Sequence, residues 1–204
     1  MGQRLQCQKR MVWCKWNRHK TVNDFWKKVI YSDECKVELG MNNRVLIWRR
    51  PDEEWTPSCL NPGRGVRVSL MIWGCITYEG VGTLTVVDGN INAQKYIEVI
   101  DNFVCPVIAR HFPDDNYVLQ DDNAPVHRAC VVKEYMEEAD LHGMEWPSQS
   151  PDLNIIENVW HKIKHELQKN VQNITSRQLL ETAIRNIWTE IPIDYIQDLY
   201  KSIP

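Results

Sequence analysis

Acidic residues follow directly after two short apolar runs, and a third acid opens the helical last part of the chain. The runs 29–32 and 117–119 have the composition of buried strands and lead into Asp33 and Asp122. Glu157 lies near the start of an amphipathic stretch, with 34 residues between it and Asp122. Carboxylates at strand ends and at a helix start supply the oxygen ligands that Mg²⁺ takes in proteins. We therefore predict a fold in which distant segments meet and a metal site where they do.

Length and composition describe one ordinary domain. The 204 residues are enough to bury a core, and 43% hydrophobic with 25% charged residues is the balance of a globular protein. No apolar run approaches about 18 residues and no signal-peptide core is present, so we expect neither membrane insertion nor secretion. The seven cysteines include no C-x-x-C pair, which indicates reduced, mostly buried cysteines rather than a disulfide framework.

Strand-like segments dominate the first half of the chain, and helical periodicity dominates the last third. Strands are predicted over 29–34, 35–39, 44–49, 68–77, 82–87 and 117–120, with a last short one over 143–146. Helices are predicted over 92–111 and 127–139, and from Asn154, Thr175 and Pro192 onward. Pro106 is expected to kink the first of them. This order of elements is typical of an α/β fold.

Three short motifs surround the acids. They are Ser32-Asp33-Glu34, the run Asp-Asn-Ala-Pro-x-His over 122–127, and the run Ser-Pro-Asp-Leu-Asn-x-Ile-Glu-Asn-x-Trp over 150–160. Together they resemble the catalytic domain of a mariner-superfamily DNA transposase, over roughly residues 28–203. The gap of 34 residues that ends in a glutamate is similar to the Tc-type branch of that superfamily. Any one motif is weak evidence, but their order and spacing together are specific.

The resemblance implies a ribonuclease-H-like α/β fold, with a mixed central sheet flanked by helices and extra helices at the C-terminus. It implies metal-dependent DNA cleavage and strand transfer in cut-and-paste transposition, acting on transposon ends and target DNA. Asp33, Asp122 and Glu157 would be the catalytic residues and would hold two Mg²⁺ (or Mn²⁺) ions. A homodimer of the full-length protein, TA target sites and action in the nucleus are further expectations from the family.

Each acid also has a structural interpretation. Asp121 competes with Asp122, because successive strand residues point to opposite faces and only one of them can face Asp33. The family motif, in which the acid directly precedes asparagine, selects Asp122. If Asn154 caps its helix, Glu157 is the third helical residue, where glutamate commonly bonds to the cap amide. Against this, Glu157 lies off the apolar stripe and is therefore available to a cleft.

Five further residues are expected near the acids or on DNA. His127 is expected to contact phosphate or water or to cap a helix, and a structural role fits its position equally well. Asn123 and Asn158 flank the acids and could orient them. Arg64 and Arg67 lie in a loop rich in Pro and Gly and are expected to touch the DNA backbone.

Basic residues concentrate at the N-terminus. Residues 1–28 carry eight Lys or Arg against the single acid Asp24, whereas the remaining 176 residues carry 16 basic against 26 acidic residues. The basic segment is either a phosphate-contacting arm or a solvated helix face. We assign residues 1–27 to a basic linker or N-terminal arm and 28–204 to the catalytic domain. We expect the recognition helices of the family to be missing, since too few residues precede position 28 for a helix-turn-helix pair.

Two other functions fit the same residues. An inactive or domesticated remnant would bind DNA or a protein without cleaving it; the expected lack of recognition helices favours this, and the intact acids speak against it. A nuclease of the same fold would cleave DNA without joining it. Strand-transfer products would separate that nuclease from a transposase.

Overall fold

A mixed four-stranded sheet carries the fold. The computed structural model describes residues 2–39, 50, 68–147 and 150–203. The strands are β1 (Val29–Leu39), β2 (Val68–Thr77), β3 (Gly80–Val87) and β4 (Val118–Gln120), in the order β3-β2-β1-β4. β1 pairs antiparallel with β2 and parallel with β4. Because Gln120 pairs with Tyr31, the chain that leaves β4 emerges beside Asp33.

Helices cover both faces of the sheet. They are α1 (Gly2–Asn17), α2 (Ala93–Val99), α3 (Cys105–His111), α4 (Cys130–Glu138), α5 (Ile156–Lys169), α6 (Arg177–Thr189) and α7 (Ile193–Lys201). Apolar side chains of α5, α6 and α7 pack with Tyr31 in one core, and those of α2, α3 and α4 pack with Ile30 in a second core. These neighbouring residues of β1 serve opposite faces, as the pleat requires. The predicted α/β fold, with a mixed sheet flanked by helices and extra C-terminal helices, is confirmed.

The first predicted strands form one continuous element. The segments predicted as 29–34 and 35–39 make up the single strand β1, because no turn residue separates them and the pairing with β2 runs unbroken through the junction. Asp33 therefore lies within a strand and not at its end. Its position in the site is set by the neighbouring strands rather than by a strand terminus.

Two other strand predictions have different outcomes. In place of a strand over 143–146, Gly143 forms an isolated bridge to Leu119 of β4. Pro147 follows closely and cannot donate a ladder hydrogen bond, which limits pairing there. The strand predicted over 44–49 lies outside the described residues.

Pro106 shapes the helical segment before β4. Helices α2 and α3 are joined by a π-helical turn, Ile100–Val104, in which the amide of Cys105 donates to the carbonyl of Ile100. Proline lacks an amide hydrogen and its ring crowds the preceding turn. A π turn widens the helix at that point without ending it. The predicted irregularity is therefore present as a π turn, and the helical path over 92–111 continues through it.

Two helices begin later than predicted. The helix predicted from residue 127 begins at Cys130, after a turn over 125–128. Helix α6 is capped by Ser176, whose hydroxyl accepts a hydrogen bond from the Leu179 amide at 3.2 Å, and not by Thr175. Serine and threonine are comparable cap residues, so adjacent candidates could not be separated by pattern.

The N-terminal helix α1 packs against the rest of the domain. The ring centres of Trp13 and Trp26 are 6.1 Å apart, and the Trp13 indole N–H donates to the carbonyl of Glu145 at 3.0 Å. Arg10 forms an ion pair with Asp152. The predicted basic segment thus contains a docked helix, and its separate role as an arm stays a prediction.

Two expectations from composition can be compared with the structure. Among the described residues, no helix is long and apolar enough to cross a membrane. The six described cysteines are free, and Cys7, Cys14 and Cys130 are exposed. The expectation of mostly buried cysteines is therefore wrong, because half of those described lie on helix surfaces.

Gly74 of β2 lies opposite Asp33 and leaves room for two indole rings. A methyl group here would lie 2.8 Å from Trp160 Cη2 and 3.1 Å from Trp188 Cη2, closer than carbon atoms pack. We expect Gly74→Ala to lower the free energy of unfolding by about 1–3 kcal/mol, the usual cost of overpacking. Urea unfolding measures this. Gly143→Ala is the control, because its methyl group would meet the flexible end of Met136 at 3.4 Å; equal losses would contradict the prediction.

Candidate active site

Asp33 is held in the middle of β1, where it is 8% exposed. Its Oδ1 accepts a hydrogen bond from the Glu34 amide at 2.8 Å, and its Oδ2 accepts one from the indole N–H of Trp160 at 3.3 Å. Burial, together with the negative charges of Glu157 and Glu34, raises the pKa of Asp33 to about 8. Two hydrogen bonds therefore fix the side chain of Asp33 in position, while its surroundings make the ionised form unfavourable.

Asp122 follows β4 in a turn that its own side chain stabilises. Its Oδ1 accepts a hydrogen bond from the Ala124 amide at 2.8 Å, and Asn123 between them has a φ of 59°, which asparagine tolerates. Burial acts to raise the pKa of Asp122, but contacts with His127 and with the Ala124 amide outweigh it, and the pKa is lowered. Asp122 is therefore ionised at neutral pH.

Glu157 lies in the first turn of α5, and that turn is fastened to β1. Asn154 donates from Nδ2 to the Ser32 carbonyl at 3.2 Å, and its own carbonyl accepts from the Glu157 amide at 3.1 Å. Because α5 begins at Ile156, Glu157 is the second helical residue and not the third. In the described part of the chain its exposed carboxylate accepts no backbone amide, so the capping role considered from the sequence is not seen.

The three acids line one cavity of about 450 Å³. The rest of its lining consists of Asn123, Ala124, Pro125, Trp146, Ser150, Pro151 and Asn154. Asp33 comes from β1, Asp122 from the turn after β4 and Glu157 from the start of α5. The structure thus brings together three acids that the sequence places far apart.

Asp121 points away from this cavity. It is 7% exposed, its Oδ1 accepts from the Asn123 amide at 2.8 Å, and its Oδ2 accepts from the Tyr96 hydroxyl at 3.4 Å. Arg128 lies 3.5 Å from Oδ1. Of the two neighbouring aspartates, Asp122 lines the cavity with Asp33, and Asp121 is a structural acid behind it.

His127 connects Asp122 to the opposite face of β1. Its ring stacks on Tyr96 at 3.8 Å between centres, Nδ1 lies 2.8 Å from Asp122 Oδ1, and Nε2 lies 3.4 Å from Glu34 Oε1. Burial acts to lower the pKa of His127, but the contacts with Asp122 and Glu34 outweigh it and raise the pKa to about 9. His127 is therefore a cation at neutral pH. A protonated imidazole does not bind a metal ion. A ring nitrogen of His127 and carboxylate oxygens of Glu34 and Asp122 nevertheless lie within 4.8 Å of one another.

The remaining predicted residues differ in their distance from the cavity. Asn123 lines it and donates from Nδ2 to the Trp146 carbonyl at 2.8 Å. Asn158 lies outside the cavity lining, and its Nδ2 donates to the Ile155 carbonyl at 3.4 Å. Arg64 and Arg67 lie outside the described residues.

Sequence reasoning missed three residues that contact Asp33 or His127. Glu34 and Tyr96 hold His127, and Trp160 donates to Asp33. Side chains alternate along β1, so Glu34 is predicted to face away from Asp33. This alternation is the signal that could have placed Glu34 on the opposite face of the sheet, where His127 lies. For Trp160 the sequence indicated only a core residue, and its side chain is indeed buried, at 1% exposure.

The donor set fits a hard divalent cation. The charged groups that act on Asp33 in the described structure are Glu157, Glu34 and Asp122, all of them carboxylates. Carboxylate oxygens are the ligands of Mg²⁺ and Mn²⁺. A bound cation would offset the repulsion that raises the pKa of Asp33.

The buried charges around His127 predict a pH-dependent contribution to stability. A histidine whose pKa rises from 6.5 to about 9 on folding stabilises the protein fully below about pH 6.5, and this stabilisation is lost as the pH rises through about 9. We expect His127→Gln to lower the free energy of unfolding by about 3–5 kcal/mol near pH 6, because it breaks a buried ion pair, and by much less above pH 9. Urea unfolding in EDTA at both pH values measures this.

The control for this prediction is His142→Gln. His142 is about half exposed and lies 4.0 Å from Asp115 at the surface. It should change stability little at either pH. A His127→Gln variant with the same loss at both pH values would show that packing rather than charge holds this residue.

A ribonuclease-H-like sheet with clustered carboxylates beside its central strand defines a class of proteins, the metal-dependent enzymes that cut or join nucleic acid strands. Within that class, the profile of the family described as DDE superfamily endonuclease matches residues 28–180. The chain belongs to this family, and within it to the mariner/Tc1 group of transposases.

Relatives and solved structures agree with this assignment. The chain is 28% identical to the Tcb2 transposase of Caenorhabditis briggsae and 29% identical to the Tc1 transposase of Caenorhabditis elegans, in each case over 96% of this chain and 71% of the relative. The catalytic domain of the Mos1 mariner transposase aligns with a TM-score of 0.71 at 15% identity, over 98% of this chain and 86% of that one. At this identity the structural likeness establishes the fold, and the predicted ribonuclease-H-like fold is confirmed.

Other Mos1 structures with the same fold are larger assemblies. They include a pre-cleavage transpososome, a strand transfer complex and paired-end complexes with Mn or Mg. This chain spans 58% of the Mos1 chain in the transpososome. What those assemblies bind is a property of Mos1.

Proposed function

We propose that this domain cuts DNA at the ends of a transposable element and joins the freed 3′ ends to target DNA, as the catalytic part of a cut-and-paste transposase. The observation that carries the proposal is the cavity lined by Asp33, Asp122 and Glu157, in a chain of the DDE superfamily endonuclease family. The alternative of an inactive remnant is less well supported, because all three acids are present and line one space.

The carboxylates of Asp33, Asp122 and Glu157 would together hold two divalent ions, Mg²⁺ or Mn²⁺. Such ions, when bound, activate the attacking oxygen and neutralise the charge that develops on the phosphate. Solved Mos1 catalytic domains with Mn and with Mg support this assignment. The donor chemistry of the cavity supports it independently.

The chain's own groups prepare this site. Asp33 holds a proton near neutral pH, since its pKa is about 8, and must release it to bind a cation. The Ala124 amide and His127 both contact Oδ1 of Asp122, which leaves Oδ2 available as a ligand. Pro125 and Trp146 add apolar surface to the lining of the cavity.

On the strand that is joined to the target, the reaction consists of two displacements at phosphorus. In the first, a water oxygen bonds to phosphorus and the 3′ oxygen of the transposon strand leaves with a proton. In the second, that 3′ hydroxyl oxygen bonds to a target phosphorus and displaces the neighbouring 3′ oxygen. Neither displacement needs a side-chain nucleophile, so no Ser, Tyr or Cys is required in the cavity.

DNA binding and assembly are further parts of the proposal. The DNA partners would be transposon ends and target DNA, and the full-length protein would act as a homodimer in the nucleus. The Mos1 paired-end complexes, one of them with the left transposon end, support the binding of transposon ends and the dimer. Arg64 and Arg67 would contact the DNA backbone, and the basic residues around α1 would add to the attraction.

A strand-transfer assay tests the proposal. A labelled duplex with a free 3′ hydroxyl is mixed with supercoiled plasmid, the protein and Mn²⁺. We expect labelled plasmid from the wild-type protein and none from Glu157→Gln, while Glu166→Gln, on an exposed part of the same helix, keeps the activity. Nicked plasmid without label would indicate a nuclease of the same fold. Intact plasmid and no labelled product would favour the remnant.

A further inference from the structure

Trp160 contacts the acid at the centre of the site from inside the core. It lies on α5, one turn after Glu157, and is 1% exposed. Its indole N–H donates to Oδ2 of Asp33 at 3.3 Å. One helix therefore supplies both a cavity acid and a donor to the acid of β1.

The indole ring of Trp160 packs against Trp188 and beside Gly74. It stacks on Trp188 with ring centres 5.5 Å apart and planes at 24°. Trp188 is anchored in turn, because its N–H donates to the Gly82 carbonyl at 3.1 Å. At the Cη2 edges of both rings, Gly74 leaves the space that a methyl group would fill. Since Gly74 pairs with Asp33, this space lies directly beside the acid.

The donor chemistry suits an acid that must bind a cation. Each oxygen of Asp33 accepts one N–H, from the Glu34 amide and from Trp160. An indole N–H is a donor without a charge and without acceptor capacity. It can fix the orientation of a carboxylate without repelling a metal ion. The positive charge of a lysine or arginine in the same place would repel the ion.

We propose that Trp160 is a positioning residue for the metal site, and that its indole N–H sets the orientation in which Asp33 receives cations. The inference rests on the proposed role of Asp33 as a ligand. Groups that orient metal ligands in this way commonly change metal affinity 10- to 100-fold when removed.

The test compares two variants that keep an aromatic ring. Trp160→Phe removes the N–H that reaches Asp33, and Trp188→Phe removes the N–H that reaches Gly82. Mn²⁺ binding is measured by titration calorimetry under conditions in which urea unfolding shows each variant to be folded. We expect Mn²⁺ binding by Trp160→Phe to be about 10- to 100-fold weaker, and binding by Trp188→Phe to be unchanged.

The outcomes separate the inference from the proposed function. A Trp160→Phe protein that binds Mn²⁺ as the wild type does would overturn the positioning role and leave the proposed function standing. Equal weakening in both variants would also overturn it, because the effect would then come from general loosening of the stack. A wild-type protein that binds no Mn²⁺ would overturn the proposed function, and the inference with it.

Discussion

Asp33→Asn should make the metal-free protein more stable at high pH. The pKa of Asp33 is raised to about 8 by burial and neighbouring carboxylates, so the folded state binds a proton that the unfolded state has already released. The wild-type free energy of unfolding therefore falls between about pH 4 and pH 8, on the order of 5 kcal/mol in total. Asparagine carries no charge but offers one acceptor oxygen for two donors, which costs roughly 1–3 kcal/mol.

The expected net gain is on the order of 3 kcal/mol near pH 9, measured by urea unfolding in EDTA. Near pH 4 the wild-type acid is protonated in the folded state, so the advantage of the variant should disappear or reverse. Addition of Mn²⁺ should stabilise the wild type and not the variant. Asp198→Asn, at an exposed ion pair on α7, is the control. A variant that is less stable than the wild type at both pH values would show that folding does not disfavour the ionised form of Asp33.

The second large effect is the difference between two adjacent aspartates. Asp122→Asn should abolish detectable Mn²⁺ binding and reduce strand transfer by about 10³-fold or more, because it removes a proposed ligand from a two-ion site. Asp121→Asn should retain both properties, since Asp121 faces Tyr96 and Arg128 behind the cavity. Titration calorimetry with Mn²⁺ and the plasmid assay measure the two properties.

Stability provides the check on this comparison. Both variants lose contacts with buried partners, so both should unfold at lower urea concentration, and each must be folded in the binding assay. Loss of Mn²⁺ binding in Asp121→Asn with retention in Asp122→Asn would reverse the assignment. Equal loss in folded samples of both would show that the turn, rather than one carboxylate, determines binding.

Sequence patterns predicted the framework of the site because strands and helices repeat their contacts at fixed periods. The apolar spacing of α5 correctly indicated which face of the helix is buried, and thereby left Glu157 for the cavity. Alternation along a strand correctly indicated that only one of Asp121 and Asp122 lines the cavity with Asp33. The family motif then selected the member of the pair that the cavity contains.

The contacts that tune the site could not be predicted in the same way. The hydrogen bond from Trp160 to Asp33 spans 127 positions, and no periodicity reports which way an indole N–H points. The ion pairs of His127 depend on a turn in which Asn123 takes a left-handed conformation. Helix starts were shifted by one to three residues because neighbouring cap residues are close in free energy.

The parallel pairing of β1 with β4 joins segments of the chain that leave the ribosome at different times. The Ser32 hydroxyl bonds to the Gln120 carbonyl across 88 positions, and the Tyr200 hydroxyl of α7 donates to the Val29 carbonyl across 171. During synthesis β1, β2 and β3 can pair first, while the turn after β4, α5 and α7 emerge later. Asp122 and Glu157 can therefore join Asp33 in the cavity only after most of the chain has left the ribosome. An unfinished polypeptide therefore lacks the complete three-acid cavity.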